Sequence, residues 1–82
     1  MSRELVSLID FIARSLVDKP DQVEVRETRG ESDAAIIELR VAPDDLGKVI
    51  GKAGATARAM RSVLFAASGR ARQRAVLNIV ED

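Results

Sequence analysis

A chain of 82 residues can bury one modest core and excludes a second domain of comparable size. It has no cysteine and no histidine, which removes disulfides, thiolate chemistry and the usual zinc ligands, and with Phe11 and Phe65 as its two aromatics the core must be aliphatic. Its 13 basic and 13 acidic side chains cancel in number but not in place: residues 1–45 hold six bases against eleven acids, whereas residues 46–80 hold seven bases and no acid, a sorting that suits a positive surface facing a polyanion.

Residues 2–18 set Leu5, Leu8, Ile9, Ile12 and Leu16 at helical spacing, with Ser2 available as N-cap and Pro20 as the stop. Val6, Phe11 and Val17 widen this stripe, which fits a broad buried face or a contact with another chain. From Gln22 the period becomes two, with Val23 and Val25 alternating with Glu24 and Arg26, and Gly30 within Thr28–Asp33 supplies a reversal. A second strand over 36–41 turns Ile37, Leu39 and Val41 to one side and Ile36, Glu38 and Arg40 to the other, as in a hairpin buried on one face. Pro43 suits a first helical turn, and Asp44 and Asp45 complement its positive end. As a catalytic pair those two acids lack a neighbouring base or metal ligand.

A helix with Ala57, Met60, Leu64 and Ala67 on one face is expected to stop at Gly69, with Arg58 and Arg61 neighbours on another face. The last strand alternates Ala75, Leu77 and Ile79 with Val76, Asn78 and Val80. No repeat or linker divides the chain, so residues 1–82 read as a single domain. No apolar stretch approaches the ~20 residues of a membrane span, and no signal peptide is visible, which makes a cytoplasmic location the expectation.

Between the two helices of the basic half lies Leu46-Gly47-Lys48-Val49-Ile50-Gly51-Lys52-Ala53-Gly54. A nucleotide-binding P-loop needs Gly, four residues, then Gly-Lys-Ser/Thr; Leu46 and Ala53 occupy its first and last positions and break it. The dinucleotide fingerprint fails as well, because Gly47, Gly51 and Gly54 have the wrong spacing and follow a helix instead of a strand. What remains is a tight helix-to-helix turn with the unpaired N–H groups of the second helix above it. Its glycines let a phosphate chain come close, Lys52 adds a cation at the tip, and Lys48 adds another one turn earlier. A plain helix C-cap followed by an ordinary turn is the competing reading of the short pattern.

Val49-Ile50-Gly51-Lys52-Ala53-Gly54 resembles the Gly-x-x-Gly signature of KH domains, and the longer run Val41–Lys52 is similar to the small stand-alone bacterial KH proteins of the KhpA family. The resemblance covers essentially the whole chain. It implies an α+β, type II KH domain in the order α-β-β-α-α-β, with a three-stranded mixed sheet covered on one face by three helices and the last strand parallel to the second. It also implies single-stranded RNA as partner, with Gly51, Lys52, Ala53 and Gly54 holding the backbone of about four nucleotides. Val49 and Ile50 then supply apolar groove surface, and the Arg29–Asp33 loop borders the other side. Read by charge alone, Arg58 and Arg61 either approach phosphates or sit in solvent, with phosphate contact favoured for Arg58, while Arg70, Arg72 and Arg74 either extend the positive rim or solubilise an edge strand. Homodimers, or heterodimers with a KhpB/Jag-type KH protein, and a role as RNA chaperone or post-transcriptional regulator follow from the same likeness, with no cofactor and no metal.

With neither Tyr nor Trp, no broad stacking platform can be built, so bases meet aliphatic surface and affinity is expected to be modest and mostly electrostatic. Phe65 is expected at a buried helix seam; if exposed, its helix becomes a candidate self-association surface. Two other functions compete: a protein-association adaptor with vestigial RNA binding, and a helix-turn-helix-like DNA reader using Thr56, Arg58 and Arg61. An enzyme is not expected, since no nucleophile, base and orienting group can be assembled from these residues.

Overall fold

Alternating burial turns the two period-two segments into a hairpin in the computed structural model, which describes residues 3–81. Strand β1 (Glu24–Arg29) runs antiparallel to β2 (Ala35–Arg40), and β3 (Ala75–Ile79) pairs parallel to β2 on its other side, giving the sheet order β1-β2-β3. In register, Ile37 meets Leu77 and Leu39 meets Ile79, and all four are buried on the same face. The opposite face carries Arg26, Thr28, Val76 and Asn78 and is open.

Helices cover the inner face. Helix α1 (Arg3–Leu16) inserts Leu5, Ile9 and Ala13, and α3 (Ala55–Ala71) inserts Ala57, Met60 and Leu64, with the short α2 (Leu46–Ile50) contributing Val49. Full burial of each large aliphatic side chain contributes about 2 kcal/mol, so a core of this composition holds one layer of three helices on the sheet without aromatics. The expected order α-β-β-α-α-β is the observed one. No helix among the described residues is long and apolar enough to cross a membrane.

Three expectations shift. The proposed N-cap, Ser2, lies outside the described residues. Helix α1 stops at Leu16, before Pro20, because the chain is drawn off at Asp18 and Lys19 toward Asp45. Helix α3 does not stop at Gly69; it runs to Ala71 and closes with Arg72 N–H on Gly69 O (3.3 Å) and Gln73 N–H on Ser68 O (3.0 Å). This is a Schellman closure with an arginine, φ 55°, where glycine is usual, at a cost of about 1 kcal/mol.

Candidate nucleic-acid interface

Helix α2 ends because Gly51 takes φ 78°, ψ 169°, a conformation open essentially only to glycine. Its N–H donates to Gly47 O (2.8 Å), and its own carbonyl accepts from Gly54 N–H (3.0 Å). Ala53 and Gly54 then take left-handed conformations in succession, φ 54° and 77°, and the chain enters α3. The result is a tight corner whose apex, Lys52 and Ala53, is exposed while Gly51 and Gly54 are half-buried. No side chain caps α3, so the positive end of a 17-residue helix opens beside the apex.

A Cβ on Gly51 would collide with Thr56, reaching its backbone nitrogen at 2.7 Å, whereas on Gly54 it would meet only the tip of Arg58 at 3.3 Å. Close packing of the turn onto the first turn of α3 therefore fixes the first glycine, and backbone conformation alone favours the second. Arg58 braces the corner, its Nη1 donating to Ala53 O at 2.7 Å. That bond orients the guanidinium at the turn and uses one of its five N–H donors.

The other residues expected at the site divide by environment. Ile50 is half-buried beside the turn, but Val49 is fully buried in the core. The expectation that both supply groove surface is corrected for Val49, which supports the turn from beneath. The Lys48 ammonium lies 3.3 Å from Asp18 Oδ2 and 3.7 Å from Asp45 Oδ1, tied into the acidic half of the chain. Arg61 is exposed beside an apolar hollow between α3 and β3. The Arg29–Asp33 loop does not border the turn: Gln73 Nε2 donates to Asp33 O (3.2 Å), which fixes that loop at the far end of α3. The wall facing α3 is β3.

Phe65 is 78% exposed, against the expectation of a buried seam. On α3 it falls outside the Ala57/Met60/Leu64/Ser68 face, and nothing from α1 or the sheet covers it.

The sequence places Asp45 as local chemistry of its own short helix. In the structure it makes no cap to its own helix; it is 1% exposed and accepts hydrogen bonds from the N–H groups of Lys19 (3.0 Å) and Asp18 (3.3 Å). Burial on its own raises its pKa, but the backbone donors at Asp18 and Lys19, with the charges of Lys48 and Lys19, outweigh it and hold the carboxyl below the usual range. Asp44, the exposed neighbour, pairs with Lys19 at 3.2 Å. The contact between Asp45 and Lys19, 26 residues apart in sequence, had no local signal.

Fold order and corner together define a KH domain of the type II arrangement, with its Gly-x-x-Gly turn joining α2 to α3. The family described as KhpA/KhpB, KH domain, matches residues 6–79. Over 73 residues the chain is 51% identical to a protein of Clostridium acetobutylicum named RNA-binding protein KhpA, covering 89% of this chain and 96% of that one. Proteins of the same name from Halalkalibacterium halodurans and Aquifex aeolicus are 48% and 47% identical, covering 92% and 94% of this chain and 97% and 96% of theirs. No solved structure matches significantly. The chain belongs to the KhpA/KhpB family of KH domains.

Proposed function

We propose that this chain is a non-catalytic single-stranded RNA-binding protein whose Gly51-Lys52-Ala53-Gly54 turn holds the sugar-phosphate backbone, and that it acts in RNA chaperoning or post-transcriptional control together with a second KH protein. The supporting observation is the exposed corner itself: a bare main chain, the uncapped positive end of α3, and Lys52 with no ion pair among the described residues. The name carried by its relatives, RNA-binding protein KhpA, points to the same ligand. Lys48 strengthens the local field but is shared with Asp18 and Asp45, so Lys52 and Arg58 are the nearer phosphate partners.

Pairing with a second KH domain, either another copy or a KhpB/Jag-type protein, is supported by apolar side chains outside the core. Ala59, Val63 and Ala66 form an exposed, uncharged strip on α3, and Val63 is 43% exposed. A two-fold axis would lay this strip on itself without opposing like charges. Sedimentation equilibrium at twice the chain mass is the matching result.

Lys52→Asp with Ala53→Asp is the test of the RNA reading. Fluorescence anisotropy with a labelled 12-nucleotide single-stranded RNA should show at least a tenfold loss of affinity, with an unchanged thermal transition, because two carboxylates then face the phosphates from an exposed apex. Duplex DNA of the same length should compete less well than the RNA. Unchanged RNA affinity in the double variant would favour the adaptor reading, and preference for the duplex would favour a DNA reader.

A further inference from the structure

Two hollows lie end to end on the β3 side of α3. The first, about 420 Å³, is lined by Leu64, Leu77, Val76, Ser62 and Arg61; the second, about 470 Å³, by Ala66, Ser68, Arg72, Gln73 and Arg74. Phe65 belongs to both and stands exposed at their junction. No acid lines either one. Arg58, Arg61, Ser62 and Phe65 follow the i, i+3, i+4, i+7 spacing of one helix flank. The flank therefore begins at the turn, where Arg58 rests on Ala53 O, and leads through the first hollow to the second.

Charge decides what this flank fits. Arg61, Arg72 and Arg74 have no ion pair among the described residues, although the chain holds as many acids as bases. A second copy docked symmetrically here would bring the arginines of this flank together, whereas the Ala59/Val63/Ala66 strip, which adjoins the second hollow at Ala66, presents no charge of its own. A polyanion carrying flat apolar rings satisfies both the arginines and the exposed phenyl ring. From Ala55 to Arg72 the path is about 25 Å at ~1.5 Å per residue. That is about seven nucleotides at a stacked spacing of ~3.4 Å, more than the four that the turn engages.

We propose that an RNA strand held at the turn continues along this flank, that Phe65 stacks one base at the junction of the hollows, and that Arg72 and Arg74 hold phosphates beyond it. The inference rests on the RNA-binding reading above and extends it to a longer footprint with an aromatic contact.

The experiment is an anisotropy titration of the full chain with a labelled 12-nucleotide single-stranded RNA over a range of salt. Phe65→Ala and Phe65→Leu should each weaken binding roughly tenfold, while Phe65→Trp, which keeps a stacking face, should bind at least as well as the parent. The parent's log–log salt slope should be near −3.5, about −2 from three phosphates at the turn plus about −1.4 from two at Arg72 and Arg74. Arg72→Ala with Arg74→Ala should return it to about −2. If Lys52→Asp/Ala53→Asp abolishes binding while the Phe65 and arginine variants match the parent in affinity and slope, the turn reading stands and the extended track is overturned. A Phe65→Ala chain that halves its sedimenting mass at unchanged RNA affinity also overturns it, assigning this flank to protein contact. Failure of the parent to bind RNA would overturn both.

Discussion

Gly51→Ala is expected to destabilise the domain by about 3 kcal/mol and to cost most of its RNA affinity. The φ of 78° with ψ of 169° is open essentially only to glycine, and the added methyl must also displace Thr56. Removing the threonine hydroxyl gives no relief, because the Thr56 Cβ and backbone nitrogen both lie 2.7 Å from the new atom. Relaxation must therefore pull the start of α3 away from the end of α2, which opens the corner that the phosphate chain would follow. Gly54→Ala provides the internal comparison: its methyl meets only the far end of the long Arg58 side chain at 3.3 Å, and the left-handed conformation costs about 1 kcal/mol. Urea melts of both variants should rank them in that order. Equal losses at the two positions would mean that backbone conformation alone, and not the packing of the turn on Thr56, fixes the corner.

Asp45→Ala is the second large effect. Its carboxylate satisfies the N–H groups of Asp18 and Lys19 where the chain leaves α1, and holds Lys48 one turn before the glycines. Deleting it leaves two partly buried donors without acceptors and frees α1 from the start of α2. A fall in Tm on the order of 10 °C is expected. Asp45→Asn should lie between, since one amide oxygen can replace only part of the carboxylate's acceptance.

The same group sets an acid limit on stability. Its folded pKa lies below the ordinary value of 3.8, so its contribution is complete above that pH and disappears as pH falls through the lower, folded value. Lys48 works in the opposite sense. The hydrogen bond and charge of Asp18, offset in part by desolvation and reinforced by Asp45, raise it above 10.5. Its contribution is therefore present below 10.5 and lost as pH rises through the folded value, and it is small because the side chain is 43% exposed. Thermal melts of the parent should thus drop between pH 4 and lower values more steeply than those of Asp45→Asn. Parallel curves would show that Asp45 does not govern the acid limb.

Legibility in the sequence followed the range of the interaction. Period-two alternation at Ile37/Leu39 and Leu77/Ile79 announced the inner sheet face because each strand reports its own burial. The glycine corner was equally visible, since its steric demand is local. Val49 and Ile50 are adjacent and chemically alike, and a helix turning 100° between them buries one and leaves the other at the surface; no pattern in five residues separates the two. Phe65 misled because hydrophobicity argues for burial, while its place on α3 leaves it without a covering element. Arg72 hid the true end of α3: Gly69 looked like the stop, but a helix can pass through glycine when the closing hydrogen bonds form three residues later. Asp45 is the case of longest range, where a loop acid serves the end of a helix 26 residues earlier.

The most direct test follows the backbone amides themselves. In ¹⁵N-labelled protein titrated with a short single-stranded RNA, the largest shifts should fall on Gly51, Lys52, Ala53 and Gly54 and on the first turn of α3, fading with added salt. Shifts confined to the open face of the sheet, or to the Ala59/Val63/Ala66 strip, with those four amides unmoved, would contradict the claim that this corner holds the RNA.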